Sequence, residues 1–217
     1  VARSRIRDGD SVIFFNFRGD RPRELIRAFS LEDQQLAAQP NGGFQRRHRV
    51  RDVIITGLTR YEEGLPMRVA FEKPEKMPSI LGDVLSSAGL RQFRCAETEK
   101  FPHVTFFFND YREDPFRGES RTMIPSPTEV STYDRKPEMS AYQVRDAVLD
   151  RIRAADREDL IIVNFANGDM VGHTGDLKAA IAACEHVDAC VGSLVEEVLD
   201  RDGSLVVTAD HGNAEQM

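Results

Sequence analysis

An α/β fold with a largely parallel sheet is the class this sequence predicts, and three observations predict it. Five short apolar runs stand out: SVIFFNF (11–17), DVIITGL (52–58), HVTFFF (103–108), LIIVNFA (160–166) and SLVVTAD (204–210). Their near-continuous hydrophobicity is that of strands covered on both faces. Helical patterns lie between these runs, and strands alternating with helices are the signature of parallel α/β architecture. The third observation is size. A chain of 217 residues, 41% hydrophobic and 30% charged, has an ordinary globular composition and the length of one large domain or parts of two.

Taken in order, 11–17 reads as a strand that ends at Arg18, with Pro22 placed to open a helix. DVIITGL and the strand-like MRVAF (67–71) follow. The segment FEKPEKMPS (71–79), charged and with two prolines, reads as a linker. It sets one partial domain at 1–72 and another at 73–217. ILGDVLSSAGL (80–90) is helix-like. A helix begins at Ser140, where Ser140 and Gln143 fit a capping box and Val144, Val148 and Ile152 continue an apolar stripe. The longest helical pattern covers 176–200, with Leu177, Ile181, Cys184, Val187, Val191, Leu194, Val198 and Leu199 spaced at three and four.

Thirty-six acidic against 29 basic residues give a net charge of −7, which argues against a nucleic-acid binder. No apolar run has the length of a membrane span, and no basic-then-apolar leader opens the sequence, so neither a membrane nor an export route is expected. Cys95, Cys184 and Cys190 form no CxxC pair and read as reduced thiols in a cytoplasmic protein, the latter two packing in a helix core. The opening VARSRIRDGDS reads as the middle of a longer protein.

Chemistry concentrates at strand ends. NFANGDMVGHTG (164–175) carries Asp169 and His173, which fall on one face if 169–173 is a helical turn. Alone, that pair is better explained by a turn cap beside a surface imidazole. SLVVTADHG repeats the arrangement with Asp210 and His211. Of five histidines, His48 lies in a basic run, His103 opens an apolar run and His186 lies in the long helix. The other two stand where an open parallel sheet builds its site. Four mixed oxygen and nitrogen donors, split two and two, suggest a pair of divalent cations rather than one closed structural site. Two such ions suit phosphoryl chemistry. Arg18 and Arg21 follow the first strand directly, where guanidinium groups can grip phosphate or carboxylate, although a solvated basic face is the plainer account. Lys100, after Glu97 and Glu99, reads by default as a surface salt bridge.

Together, VIFFNFRGDRPRE, AETEKFPHVTFFFN, SPTEVSTYDRKPEMSA, NFANGDMVGHTG and VTADHGNAEQM, in one colinear order, resemble the 2,3-bisphosphoglycerate-independent phosphoglycerate mutases of the alkaline phosphatase superfamily. The resemblance implies an alkaline-phosphatase-like, mostly parallel sheet flanked by helices, incomplete here, in 73–217. It implies the C-terminal remnant of an α/β phosphotransferase domain in 1–72. It implies an isomerase that interconverts 3-phosphoglycerate and 2-phosphoglycerate in glycolysis and gluconeogenesis, through a phosphoserine, without 2,3-bisphosphoglycerate. Two divalent cations are implied, Mn²⁺ first, with Mg²⁺, Co²⁺ or Zn²⁺ as other candidates. Asp169 and His173 then bind one ion, Asp210 and His211 the other, Arg18 and Arg21 bind substrate, and Lys100 is the catalytic lysine beside the transferring phosphate. A cytoplasmic, monomeric full-length parent without nucleic-acid or membrane partners is expected. The nucleophilic serine and further metal ligands match no part of this sequence, so the 217-residue piece is expected to be inactive alone. Asp110-Tyr111 stand where family members tend to have a Gly-Gly turn. Two other readings suit the paired acids and imidazoles. One is a phosphopentomutase or phosphatase of the same superfamily, and the other a non-catalytic fragment.

Overall fold

A computed structural model describes residues 5–39, 43–72, 76–209 and 211–217. The chain divides into two compact units, Val1–Glu75 and Lys76–Met217. Among the described residues each unit has its own three-stranded parallel sheet, so the fold is mixed α/β with parallel sheets and helices, as the apolar runs predict.

In the first unit β1 (Ser11–Phe14) pairs with β2 (Ile54–Gly57), which pairs with β3 (Arg68–Val69). Parallel neighbours need a crossover, and α1 (Asp20–Ser30) and α2 (Asp33–Ala37) lie within it. Ile26, Ile55 and Tyr61 are the core, with Phe14, Phe29 and Val53 against them. β1 is shorter than the 11–17 run. Its side chains alternate, Ile13 exposed and Phe14 toward the core, so coverage of both faces is not found here. Past Phe14 the Tyr61 hydroxyl donates to the Phe14 carbonyl at 3.0 Å and accepts from the Leu58 amide at 3.2 Å, which holds the strand end against β2. Gly57 makes this possible. A Cβ there would lie 2.7 Å from Tyr61 Cε2 and 2.9 Å from the Thr59 carbonyl. Gly57→Ala is therefore expected to destabilise this unit by about 1–3 kcal/mol, seen as a lower urea midpoint.

The second unit has the order β5-β4-β6, with β4 (Gln92–Glu97) between β5 (Glu119–Ile124) and β6 (Leu160–Asn164). Phe93 and Cys95 of β4 face α5 (Ala141–Arg153) and α7 (Leu177–Leu199), packing on Val144, Val148, Leu149, Ile152 and Leu194. The alternate residues Gln92 and Arg94 point the other way, yet are equally buried. Gln92 Nε2 donates to the Gly82 carbonyl of α3 (Leu81–Ser87) at 3.0 Å, and the Arg94 guanidinium lies 4.5 Å from the Phe108 ring centre.

Four expectations are corrected. Residues 103–108 are not a strand: α4 (Phe101–Val104) starts with Pro102 in its first turn, where proline suits a helix. The rings that follow stack edge to face, Phe106 on Phe107 at 5.2 Å and on Tyr111 at 5.4 Å. Residues 203–209 form no strand, and Val206 is 87% exposed. Ser140 makes no capping box; its Oγ donates to the Pro125 carbonyl at 2.8 Å and its amide to Glu97 Oε1 at 2.9 Å. Cys184 is exposed, while Cys95 and Cys190 are buried. A side-chain cap is found at α7, where Asp176 accepts from the Ala179 amide. Asp110 and Tyr111 both have left-handed φ, 51° and 62°, the conformation glycine adopts most easily.

Candidate active site

Three elements of the second unit bring the site together. β4 ends at Glu97, and the chain turns so that the Lys100 amide donates to the Glu97 carbonyl at 2.9 Å. Lys100 then precedes α4. β6 ends at Asn164 and leads into α6 (Asn167–Gly172), which carries Asp169, with His173 directly after it. The His173 amide donates to the Asp169 carbonyl at 3.0 Å, so 169–173 is a helical turn and the two side chains share a face. The loop 211–215 supplies His211 and Asn213. Asp210 lies outside the described residues.

Asp169 is the hub. One carboxylate oxygen, Oδ2, accepts from the Lys100 ammonium. The other, Oδ1, accepts from Asn213 Nδ2 at 2.8 Å and stands 3.2 Å from His173 Nε2 and 4.0 Å from His211 Nδ1. Burial pushes the Asp169 carboxyl up, but the hydrogen bonds from Lys100 and Asn213 outweigh it and hold the group at about 2. The carboxylate is thus ionised across the neutral range. Lys100 is not a surface salt bridge. It is 5% exposed, and its ion-pair partner is Asp169, sixty-nine residues away, rather than Glu97 or Glu99.

A carboxylate with two imidazoles is donor chemistry for a borderline divalent cation such as Mn²⁺, Co²⁺ or Zn²⁺. Among the described residues no three His, Cys, Asp or Glu side chains are grouped closely enough to hold a metal ion by themselves. A cavity of about 950 Å³ runs from this polar end, where Lys100, Asp169 and His211 line it, down an apolar trough between β6 and 204–209. Val191, Leu194 and Val198 of α7 also line it.

Arg18 and Arg21 belong to the first unit. They follow β1 and are exposed, Arg21 pairing with Glu24 at 3.4 Å. The second unit's site therefore gathers Lys100, Asp169, His173 and His211, and the arginines are described apart from it.

Several residues that hold the site have no signal in the sequence. Asn167, fully buried, donates from Nδ2 to the Pro137 carbonyl at 2.8 Å and so ties α6 to the segment before α5. Tyr133 donates to Glu99 Oε1 at 2.8 Å, next to Lys100. Glu97, fully buried, accepts from the Ser140 amide and ties the Lys100 turn to the start of α5. Burial pushes the Glu97 carboxyl up, against the hydrogen bond from the Ser140 amide. A carboxyl raised in the native state gives stability that is full below its unfolded pKa and is lost as pH rises through the native one. Glu97→Gln keeps an acceptor for Ser140 and removes the buried charge. It is expected to raise stability at pH 8 and to flatten the fall between pH 4 and 8, read from urea midpoints over that range.

The fold and the comparisons define the class: the chain belongs to the Metalloenzyme superfamily, whose family model matches residues 6–217. Among curated relatives it is 58% identical, over 212 residues, to the 2,3-bisphosphoglycerate-independent phosphoglycerate mutase of Rhodopirellula baltica. That match takes in 98% of this chain and 39% of the relative. The mutase of Syntrophotalea carbinolica is 56% identical over 210 residues, 97% of this chain and 39% of its own length. Among solved structures, Leishmania mexicana phosphoglycerate mutase at low cobalt concentration superposes with a TM-score of 0.68 at 36% identity. It is matched over 98% of this chain and 37% of its own. The chain thus spans about two fifths of the length of these relatives.

Proposed function

We propose that the protein carrying this chain is a 2,3-bisphosphoglycerate-independent phosphoglycerate mutase, interconverting 3-phosphoglycerate and 2-phosphoglycerate through a phosphoserine. The observation that carries this reading is the meeting of Lys100, Asp169 and His173, which follow the carboxyl ends of the parallel strands β4 and β6, with His211 of the loop 211–215. The names of the relatives support it. In this reading Asp169 and His173 bind one divalent cation, Asp210 and His211 a second, with Mn²⁺ first among the candidates. Such ions, when bound, supply Lewis-acid stabilisation of the charge that moves with the phosphoryl group.

The chain's own residues do the rest. Lys100 stands beside Asp169 with a buried ammonium, placed to hold the negative charge of a phosphoryl oxygen. α6 keeps Asp169 and His173 one turn apart, so both address the same volume. An apolar trough lined by Val191, Leu194 and Val198 of α7 adjoins the site. Arg18 and Arg21 are proposed to grip the glycerate. Residues 1–72 are read as the end of a phosphotransferase domain and 73–217 as part of a phosphatase-like, metal-binding domain. The full-length protein is read as a cytoplasmic monomer; among the described residues no helix is long and apolar enough to cross a membrane. No residue of the sequence matches the family's serine nucleophile, so the 217-residue chain alone is proposed not to turn over.

Exhaustive chelation of the full-length protein should abolish mutase activity, and added Mn²⁺ should restore it without 2,3-bisphosphoglycerate. Full activity after chelation, or a preference for a pentose phosphate over 3-phosphoglycerate, overturns the reading.

A further inference from the structure

Asn213 lies on the loop that follows the Asp210–His211 pair, and its amide reaches across to the other pair. Nδ2 donates to Asp169 Oδ1 at 2.8 Å and to the Asp169 main-chain carbonyl at 3.1 Å. The same amide rests on Gly172. A Cβ on Gly172 would stand 2.7 Å from Asn213 Oδ1 and 3.0 Å from its Cγ. Gly172 is helical, so its missing side chain serves the space that Asn213 fills and not the backbone conformation. The loop is folded back at this point, the Asn213 main-chain N–H donating to the Glu215 carboxylate.

We propose that Asn213 is a positioning residue that fixes the orientation of the Asp169 carboxylate toward His173 and His211. It turns Asp169 so that Oδ1 faces His173 and His211 while Oδ2 faces Lys100. This rests on the reading of the two acid–imidazole pairs as metal ligands. An amide suits the place because it donates to a carboxylate without adding charge, whereas a carboxylate at 213 would repel Asp169. Hydrogen-bond donors behind a ligating carboxylate fix its orientation, and their loss typically weakens metal binding by roughly 10–100-fold. Gly172 is the second half of the device, since any side chain there displaces the amide.

The test uses the full-length protein titrated with Co²⁺, followed by calorimetry and by the visible absorption of the ion, which reports ligand geometry. Asn213→Ala is expected to weaken at least one Co²⁺ by roughly 10–100-fold, to change the absorption band, and to lower kcat more than it raises KM. Asn213→Asp should do at least as much damage. Asn213→Ser, which keeps a small polar side chain but cannot span the gap, should behave as Asn213→Ala and guards against a fold-specific failure of that variant. Gly172→Ala should reproduce the loss while Asn213 is present and add nothing in the Asn213→Ala background, because its clash partner is gone. Unchanged Co²⁺ affinity and spectrum in both Asn213→Ala and Asn213→Ser overturns the proposal, as does equal harm from Gly172→Ala in both backgrounds. If the unaltered protein binds no Co²⁺, the metal reading itself has failed and this proposal with it.

Discussion

Asp169→Asn in the full-length protein is expected to cut mutase activity by at least about a hundredfold, the scale on which loss of one preorganised charge-stabilising group is felt. The same change should lower stability. Asp169 holds Lys100, and both side chains are largely out of solvent, at 17% and 7% exposure. Removing one partner of a buried pair strands the other charge, a cost of about 3–5 kcal/mol when burial is complete and less here. The two effects separate by a second substitution. Lys100→Met removes the stranded ammonium, so the double variant Asp169→Asn/Lys100→Met should regain much of the lost stability and stay inactive. Urea midpoints and initial rates on the four proteins check both halves. Recovery of activity in the double variant would show that Asp169 serves only to neutralise Lys100.

Phe93→Ala is expected to cost about 3–5 kcal/mol, the usual price of emptying a buried aromatic site. Phe93 is 2% exposed, on the central strand of its sheet, and packs on the face shared by α5 and α7. A loss of that size is a large share of the roughly 5–15 kcal/mol that holds a domain folded. Phe93→Leu, which keeps most of the volume, should cost clearly less. The measurement is the urea midpoint with the slope unchanged, since a changed slope would mean that the denatured state had altered as well.

How far the sequence revealed this architecture depends on how each strand is buried. β2 and β6 are legible because Ile54, Ile55, Ile161, Ile162 and Val163 form unbroken apolar runs. β4 is the most completely buried strand, yet it is illegible, because Gln92, Arg94 and Glu97 interrupt the apolar pattern; Gln92 bonds Gly82, Glu97 accepts from Ser140, and Arg94 lies against the Phe108 ring. β5, with Glu119, Ser120, Arg121 and Thr122, hides for the same reason. The opposite error arises at 103–108, where an aromatic run looks like a strand but closes on itself ring to ring after Pro102. The site divides along similar lines. The spacing of Asp169 and His173 foretells that one helical turn brings them together, but alone it points no further than a turn cap beside a surface imidazole. Lys100 is misjudged by local context, since its partner lies on another element. Asn213 gives no signal at all: its role depends on an approach to Gly172 and Asp169 that only the folded chain creates.

The turn at Asp110 and Tyr111 carries a consequence of its own. Two successive residues sit at left-handed φ where the resemblance implies a pair of glycines. The positions are occupied by side chains with uses: the Asp110 carboxylate accepts from the Met77 amide at 2.9 Å, and the Tyr111 ring meets Phe106 and Phe107. Holding side chains there costs roughly 1–2 kcal/mol per residue, less for aspartate, and these contacts offset it. Such a turn demands a backbone path rather than a particular residue, and side chains that find partners of their own can follow it where glycine would do so unaided.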